Sequence, residues 1–432
     1  MAQRPPWARG GAVFRRRQVL RNCNRSPSMS CNMEPDGPFC LTGAGIGNSI
    51  EGVEIRRAVS PGRPGVLPGC LVPNEGMMKK ILLGTTALAT AVLLTNAAHA
   101  ADDGLKLTLG GFFSGVVLAG DDGNNNSRGI SFDSWNSEIS FTAEATAANG
   151  LTYGFQIQLE GASVADQIDE AYLYLSGGFG RIELGTQDPV AAQMGYVAPS
   201  PDATGVLTVN SGDYFINAFT YNSDGDAGKI NYFTPRIGGF QLGLSYSPDG
   251  TQDPADGAVS GGFEPDNNVN GAGQQFTAGL NYSKEFSGVT LGLSGTYAWL
   301  EVESPTVGMD DQTSWGLGAN IGFGAGAGTV TLGGSYLNIT NFNFADSDDV
   351  SAYDAGVQYA QGPFTVGVQS IWWDQDSFAD TIWGISVGGG YKVAAGLDLS
   401  LGYMHWDNQG GGGGAFSNTN ADVFLFGTTL SF

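Results

Sequence analysis

Beyond residue 100 the chain offers little from which to build a catalytic centre. It holds one histidine, His405, and no cysteine. His405 stands beside Trp406, with Asp398 and Asp407 nearby, but no well-marked serine completes a nucleophile–base–acid order. The same scarcity removes His- and Cys-rich metal sites. His405 therefore reads as an interfacial residue, and the chain as a protein that is not an enzyme. Carboxylates, by contrast, abound in two settings. Glu138, Glu144, Glu160, Glu170 and Glu183, with Gln156 and Gln158, recur at alternating positions within apolar stretches. Asp121-Asp122, Asp310-Asp311, Asp346-Asp348-Asp349 and Asp374-Asp376 cluster in polar connections. Oxygen clusters of that type suit Ca2+ or a divalent bridge to surface lipopolysaccharide. None has the spacing of an EF-hand loop, so a solvated acidic surface is the plainer expectation, with no cofactor.

The elements that carry these residues are joined to a different kind of sequence. Residues 1–77 hold all four cysteines (Cys23, Cys31, Cys40, Cys70) and ten of the thirteen arginines, without sustained periodicity. Those cysteine spacings match no tight ligand pattern. Lys79 and Lys80 then precede a 14-residue apolar run, Ile81 to Leu94, and the small-x-small site Ala98-His99-Ala100. That is the order of a secretory signal peptide. The reading is a start placed too far upstream, with translation beginning at Met77 or Met78; a genuine N-terminal extension is the alternative. The expected organisation is thus 1–77 as a non-native extension, 78–100 as a signal peptide cleaved near Ala100, and 101–432 as one domain.

Charge sharpens on that division. The whole chain of 432 residues is formally −23. Taking away the twelve basic and five acidic residues of the first 100 leaves seven basic against 37 acidic, a formal −30. Nucleic-acid binding, which needs a basic footprint, is excluded on that ground. No apolar run reaches 18 residues, so the chain is not a helical membrane protein.

From Ala101 onward the pattern has period two. In the last eleven residues Phe424, Phe426, Thr428, Leu430 and Phe432 share one face, while Val423, Leu425, Gly427, Thr429 and Ser431 share the other. Sixteen strands are predicted, near 105–118, 130–146, 151–161, 168–176, 180–187, 229–234, 240–247, 274–284, 289–302, 312–323, 329–339, 351–360, 364–373, 380–392, 396–406 and 421–432. Short and long connections alternate. Charges repeated on one face are costly in a dry interior but cheap against water. Aromatic residues near strand ends, Trp135, Tyr153, Tyr172, Tyr246, Tyr282, Trp299, Trp315, Trp372, Trp373, Tyr391 and Trp406, suit the headgroup level. A lipid-embedded backbone must satisfy its own hydrogen bonds, which leaves a closed barrel as the spanning solution. The expected fold is therefore an all-β transmembrane antiparallel β-barrel; a water-soluble all-β protein is the alternative.

The stretches IDEAYLYLSGGFGRIELGTQD (168–188) and KINYFTPRIGGFQLGLSYSPD (229–249), with a last strand ending on Phe432, resemble the Gram-negative outer-membrane porins, especially the alphaproteobacterial general-porin type. The resemblance covers Ala101–Phe432. It implies a sixteen-stranded barrel in the outer membrane, usually a homotrimer, among lipid and lipopolysaccharide. It also implies a C-terminal aromatic read by the barrel-assembly machinery and a third extracellular loop folded into the lumen. About forty residues between Gln187 and Lys229 would supply that loop, with Asp188, Asp202, Asp213, Asp224 and Asp226 and no Lys or Arg. A structureless loop of that length needs a wall to pack on; an acidic solvated surface loop is the alternative.

A passive diffusion channel would select by pore width and by the field of its wall. The wall candidates are Glu138, Glu144, Glu160, Glu170, Arg181, Glu183, Lys229 and Arg236, with Lys106 and Arg128 as further basic candidates. So few basic residues argue against a basic constriction and for cation preference. Glu170 or Glu183 pairing with Arg181 simply to stabilise the wall is equally open. The rival functions are a substrate-selective channel with a binding track in the lumen, and a closed barrel serving as an adhesin or anchor.

Overall fold

A computed structural model describes residues 104–121, 129–161, 167–208, 225–250, 272–303, 308–378, 380–408 and 419–432. All fall in one compact unit, Lys79–Phe432. The extension 1–77, the signal peptide 78–100, Asp122, Arg128, Asp213 and Asp224 lie outside the described residues.

Sixteen strands form: β1 (Lys106–Asp121), β2 (Ile130–Thr146), β3 (Thr152–Glu160), β4 (Ile168–Gly177), β5 (Gly180–Thr186), β6 (Gly228–Phe233), β7 (Phe240–Ser247) and β8 (Ala272–Phe286) in the first half. The second half adds β9 (Val289–Val302), β10 (Gln312–Ala325), β11 (Gly328–Thr340), β12 (Val350–Gln361), β13 (Phe364–Gln375), β14 (Ile382–Ala394), β15 (Leu397–Asn408) and β16 (Thr419–Ser431). No bound departs from its predicted position by more than three residues. One short helix, α1 (Val190–Met194), lies between β5 and β6.

Every strand pairs antiparallel with its sequence neighbours, and β1 closes the sheet on β16, from Phe112 opposite Ser431 to Asp121 opposite Asp422. Closure leaves no edge with unpaired backbone groups. The tight connections all lie at one end. At Ser287-Gly288 both φ angles are positive, 51° and 83°. That is the primed-turn geometry matching the twist of a hairpin, and Gly288 adopts it without a Cβ penalty.

Alternation gives each strand two unlike faces. Leu107, Phe132, Leu173, Leu184, Leu244, Leu280, Leu317, Leu401 and Phe424 are exposed on one. Phe132 and Phe424 remain 75% and 61% accessible, an arrangement suited to lipid rather than water. Aromatic pairs border this apolar band at both ends. Toward the long connections stand Trp315–Tyr336 (5.2 Å between ring centres), Tyr353–Trp372 (5.2 Å, nearly parallel at 17°) and Trp383–His405 (5.1 Å). Toward the tight turns stand Phe240–Tyr282 (4.6 Å) and Phe364–Tyr391 (4.8 Å). Along β14, Trp383 and Tyr391 are eight residues apart, about 26 Å at roughly 3.3 Å per residue. Shortened by a strand tilt of roughly 35–45°, that is about 20 Å of height, comparable to the roughly 25 Å apolar band of an outer-membrane barrel.

Candidate functional site: the inward face and the segment crossing it

Residues 188–208 identify which face points inward, because they touch strands from β4 round to β16. Asp188 N–H donates to Glu170 Oε1 on β4 (3.3 Å), and Val190 N–H donates to Ser245 Oγ on β7 (2.8 Å). Tyr196 N–H donates to Ser294 Oγ on β9 (2.8 Å), and Ala198 N–H to Asp354 Oδ2 on β12 (3.0 Å). Thr208 Oγ1 donates to Gln369 on β13 (3.0 Å), and Ser400 Oγ on β15 donates to Asp202 (2.6 Å). A stretch this short reaches so many staves of a closed barrel only through its interior.

Glycine makes the close approach possible. A Cβ on Gly318 of β10 would lie 1.9 Å from Tyr196 O, and one on Gly292 of β9 would lie 2.7 Å from the Tyr196 ring. On β7, Gly243 meets Val190 and Met194 of α1; on β15, Gly402 meets Leu207. These glycines, with Ser245, Ser294, Asp354, Gln369 and Ser400, form the docking track. None of them stands out as a site residue in the sequence, although glycine recurring at inward positions of successive strands was the available signal.

Glu138, Glu144 and Glu160 of the first strands lie on the part of the wall the segment leaves open, whereas Glu170 takes the Asp188 N–H and Glu183 is buried beside Asn231. Glu144 on β2, Gly154 on β3, Tyr174 on β4, Glu183 on β5 and Asn231 on β6 are successive Cα partners in one row. Glu138 stands opposite Glu160 in another. Tyr174 OH donates to Glu144 Oε2 at 2.7 Å. Arg181 Nε donates to Glu183 Oε1 at 2.5 Å, with its guanidinium 3.9 Å above the Tyr174 ring. Lys229 points inward on β6 but is buried. Its Nζ donates to the Gln187 carbonyl at 2.7 Å and to the Gly225 carbonyl, tying together the two ends of the β5–β6 connection. Arg236 occupies the tight β6–β7 connection, bonded to the Gly239 carbonyl (2.8 Å) and Gln241 Oε1 (2.7 Å).

Within the connection itself, burial pushes the Asp188 carboxyl above the usual aspartate range; the Lys229 ammonium pulls it back and the Asp169 charge adds to the rise. Asp226 sits beside Gly225 at the return to β6 and interacts with Glu170. Asp202 is buried, with its carboxylate filled by donors.

The inward face is not polar throughout. Toward the long connections, Val116, Leu118, Leu337, Ile339, Ile371, Trp373, Met404, Trp406, Val423 and Leu425 form a buried apolar cluster with Val206 and Leu207 of the segment. Phe342 and Phe378 pack on it. Trp373 and Trp406, predicted at the headgroup level, are corrected by this packing: they are buried inside at 4% and 2% exposure. Tyr172 also lies inward, on the Tyr174 face of β4. Proximity to a strand end does not decide a face; register does.

The acidic connections use their oxygens internally. Asp311 accepts from Trp299 Nε1 (3.2 Å) and Val302 N–H (3.1 Å). Asp348 accepts from Gln375 (2.7 Å) and from Ser377 N–H (2.9 Å), and Asp349 from Asn341 N–H (3.1 Å). No group of three His, Cys, Asp or Glu placed to hold a metal occurs among the described residues. His405 Nδ1 lies 2.8 Å from Asp422 Oδ1 on the outward face.

A family model described as Gram-negative porin matches residues 84–411. A Halomonas sp. protein named monosaccharide porin is 26% identical over 301 residues, covering 58% of this chain and 77% of that protein. Among solved structures, the anion-selective porin from Comamonas acidovorans superposes with a TM-score of 0.52 at 17% identity, over 76% of this chain and all (100%) of that one. A loop L8 deletion mutant of OmpT from Vibrio cholerae gives 0.51 at 15% identity, over 76% and 100%. At such identities the structural likeness is one of fold.

Proposed function

Because the chain belongs to the Gram-negative porin family, we propose that it is a passive, water-filled diffusion channel for small hydrophilic solutes and ions, preferring cations. A porin-type barrel is transport machinery rather than an enzyme, and it belongs in the outer membrane. The preference is carried by one observation. The crossing segment docks mainly on β7 to β16, which leaves the acidic inward face of β2 to β5 as the side along which water runs. Among the described residues, Glu138, Glu144, Glu160, Glu170 and Glu183 there outnumber the accessible cations of the same face, which are Arg181, itself paired with Glu183, and Lys106, the exposed Cα partner of Glu144. Fixed negative charge along a narrow aqueous path concentrates cations and repels anions. The Comamonas relative's name shows that the fold accommodates the opposite sign, so the sign is set by wall residues and not by the barrel.

In this reading the long connections are extracellular, and residues 188–208, with Asp226 at the return to β6, belong to the third loop, folded inward as the constriction. The resemblance of 168–188 and 229–249 supports the alphaproteobacterial general-porin type, assembly as a homotrimer, and export with a signal peptide removed near Ala100. Phe432, exposed at the chain end, supports delivery by the barrel-assembly machinery. Divalent bridging of the acidic loops to lipopolysaccharide, with Ca2+ as the ion, is the corresponding proposal for the outer rim.

A second reading is favoured by Tyr172, a partly exposed ring on the inward face 6.4 Å from the buried Tyr174 ring. Rings exposed to a lumen can form a binding track for one solute class. Planar-bilayer recording with liposome-uptake assays separates these readings. A general channel gives large, steady, ohmic steps and non-saturating uptake of neutral sugars. Saturable block by one solute supports the binding track instead, and a barrel without conductance is an adhesin or anchor.

A further inference from the structure

Asp202 and Asp354 are acids that the lumen does not use as charges. Asp202 is 1% exposed, and its carboxylate accepts five donors. Oδ1 accepts from Ser200 Oγ (2.8 Å), Gly205 N–H (3.1 Å) and Leu207 N–H (3.3 Å). Oδ2 accepts from Thr204 Oγ1 (2.6 Å) and from Ser400 Oγ (2.6 Å), the latter 198 residues away on β15. Asp354, also buried, accepts from Ala198 N–H at 3.0 Å and from Ser335 Oγ at 2.8 Å. A buried carboxylate is tolerated only when donors replace its water, and removing those bonds leaves uncompensated polar groups. Both acids hold backbone of the crossing segment against inward faces of distant strands.

We propose that Asp202 and Asp354 are positioning residues that latch the crossing segment to β15 and β12, fix the width of the open lumen, and contribute nothing to its charge preference. The inference rests on the proposed channel function. It gives the acids of the segment different roles, with Asp188 beside the acidic wall and Asp202 fastening the tip.

A covalent latch in place of the carboxylate one provides the test. A Cβ on Gly390 of β14 would lie 3.5 Å from Asp202 Cβ, at the short end of the roughly 3.5–4.5 Å span of a disulfide. No cysteine follows Cys70, so D202C/G390C introduces the only pair in the barrel. Oxidised before insertion into a planar bilayer, this variant is expected to give the wild-type step and the wild-type permeability ratio. Adding reductant to the inserted channel should abolish the uniform step and raise open-channel noise, and reoxidation should restore both. D354N should show the same noise without reductant. Identical steps and noise before and after complete reduction would overturn the latch. A changed permeability ratio in the oxidised channel would show that the Asp202 charge matters after all. A wild-type barrel without conductance would bring down the channel reading instead. Disulfide formation would then decide the seating by itself, ready formation supporting it and failure to form refuting it.

Discussion

Arg181 and Glu183 face the lumen two positions apart on β5, with Nε 2.5 Å from Oε1 and the guanidinium 3.9 Å over the Tyr174 ring. The pair places a half-exposed basic side chain in the middle of an acidic wall and largely cancels its charge there. Neutralising Arg181 should therefore uncover Glu183. We expect R181Q to increase cation preference, read as a larger zero-current potential in a salt gradient. A shift toward anions would show that Arg181 guides anions rather than masking an acid.

The pH dependence has a defined sign. Burial raises the Asp188 carboxyl above the ordinary aspartate range, against the pull of Lys229. Acidification should thus neutralise Asp188 sooner than an exposed aspartate, and cation preference should begin to fall at a higher pH than exposed carboxylates would give. For folding, a raised acid contributes most below its unfolded value, and the contribution is lost as pH rises through the folded one. D188N should remove that early step from the pH profile. A wild-type profile in D188N would assign the step to another acid.

Gly318 tests the docking track. Its Cβ position lies 1.9 Å from a backbone oxygen, Tyr196 O, which cannot swing aside as a flexible side chain does. G318A should leave the heat-modifiable mobility of the folded barrel in place but change unitary conductance, because the segment must shift. Unchanged conductance would mean that the segment does not approach β10 so closely.

The outward face has its own test. Leu317 lies mid-strand on β10 and is exposed on the apolar side. L317R should cost about 2–4 kcal/mol of barrel stability if it sits near the bilayer midplane. Folding into lipid vesicles against denaturant measures this. A cost near zero would place that face in water.

The strands were legible because alternation with two unlike faces leaves a period-two trace even in single segments such as 422–432. The track for residues 188–208 was not legible, since glycines in strands leave no hydrophobic signal and Asp354 looks like any other acid on a polar face. Trp373 and Trp406 misled for a related reason. Near the long connections β13 and β15 are apolar on both faces, so alternation fades and register alone sends these rings inward. Asp202 shows the same limit: sequence identifies a carboxylate in a loop, but only packing determines whether it faces water or five donors.

An acidic wall on β2 to β5 that sets the charge preference of an open lumen is open to one direct measurement. It is the zero-current potential of the wild-type barrel between unequal KCl solutions, repeated with E138Q/E170Q. The wild type should prefer potassium, and the preference should shrink in the double variant. It should also weaken as salt shortens the screening length, about 8 Å at physiological ionic strength. A chloride preference in the wild type, or a potential unmoved by the two substitutions, would contradict an acidic, cation-selecting wall.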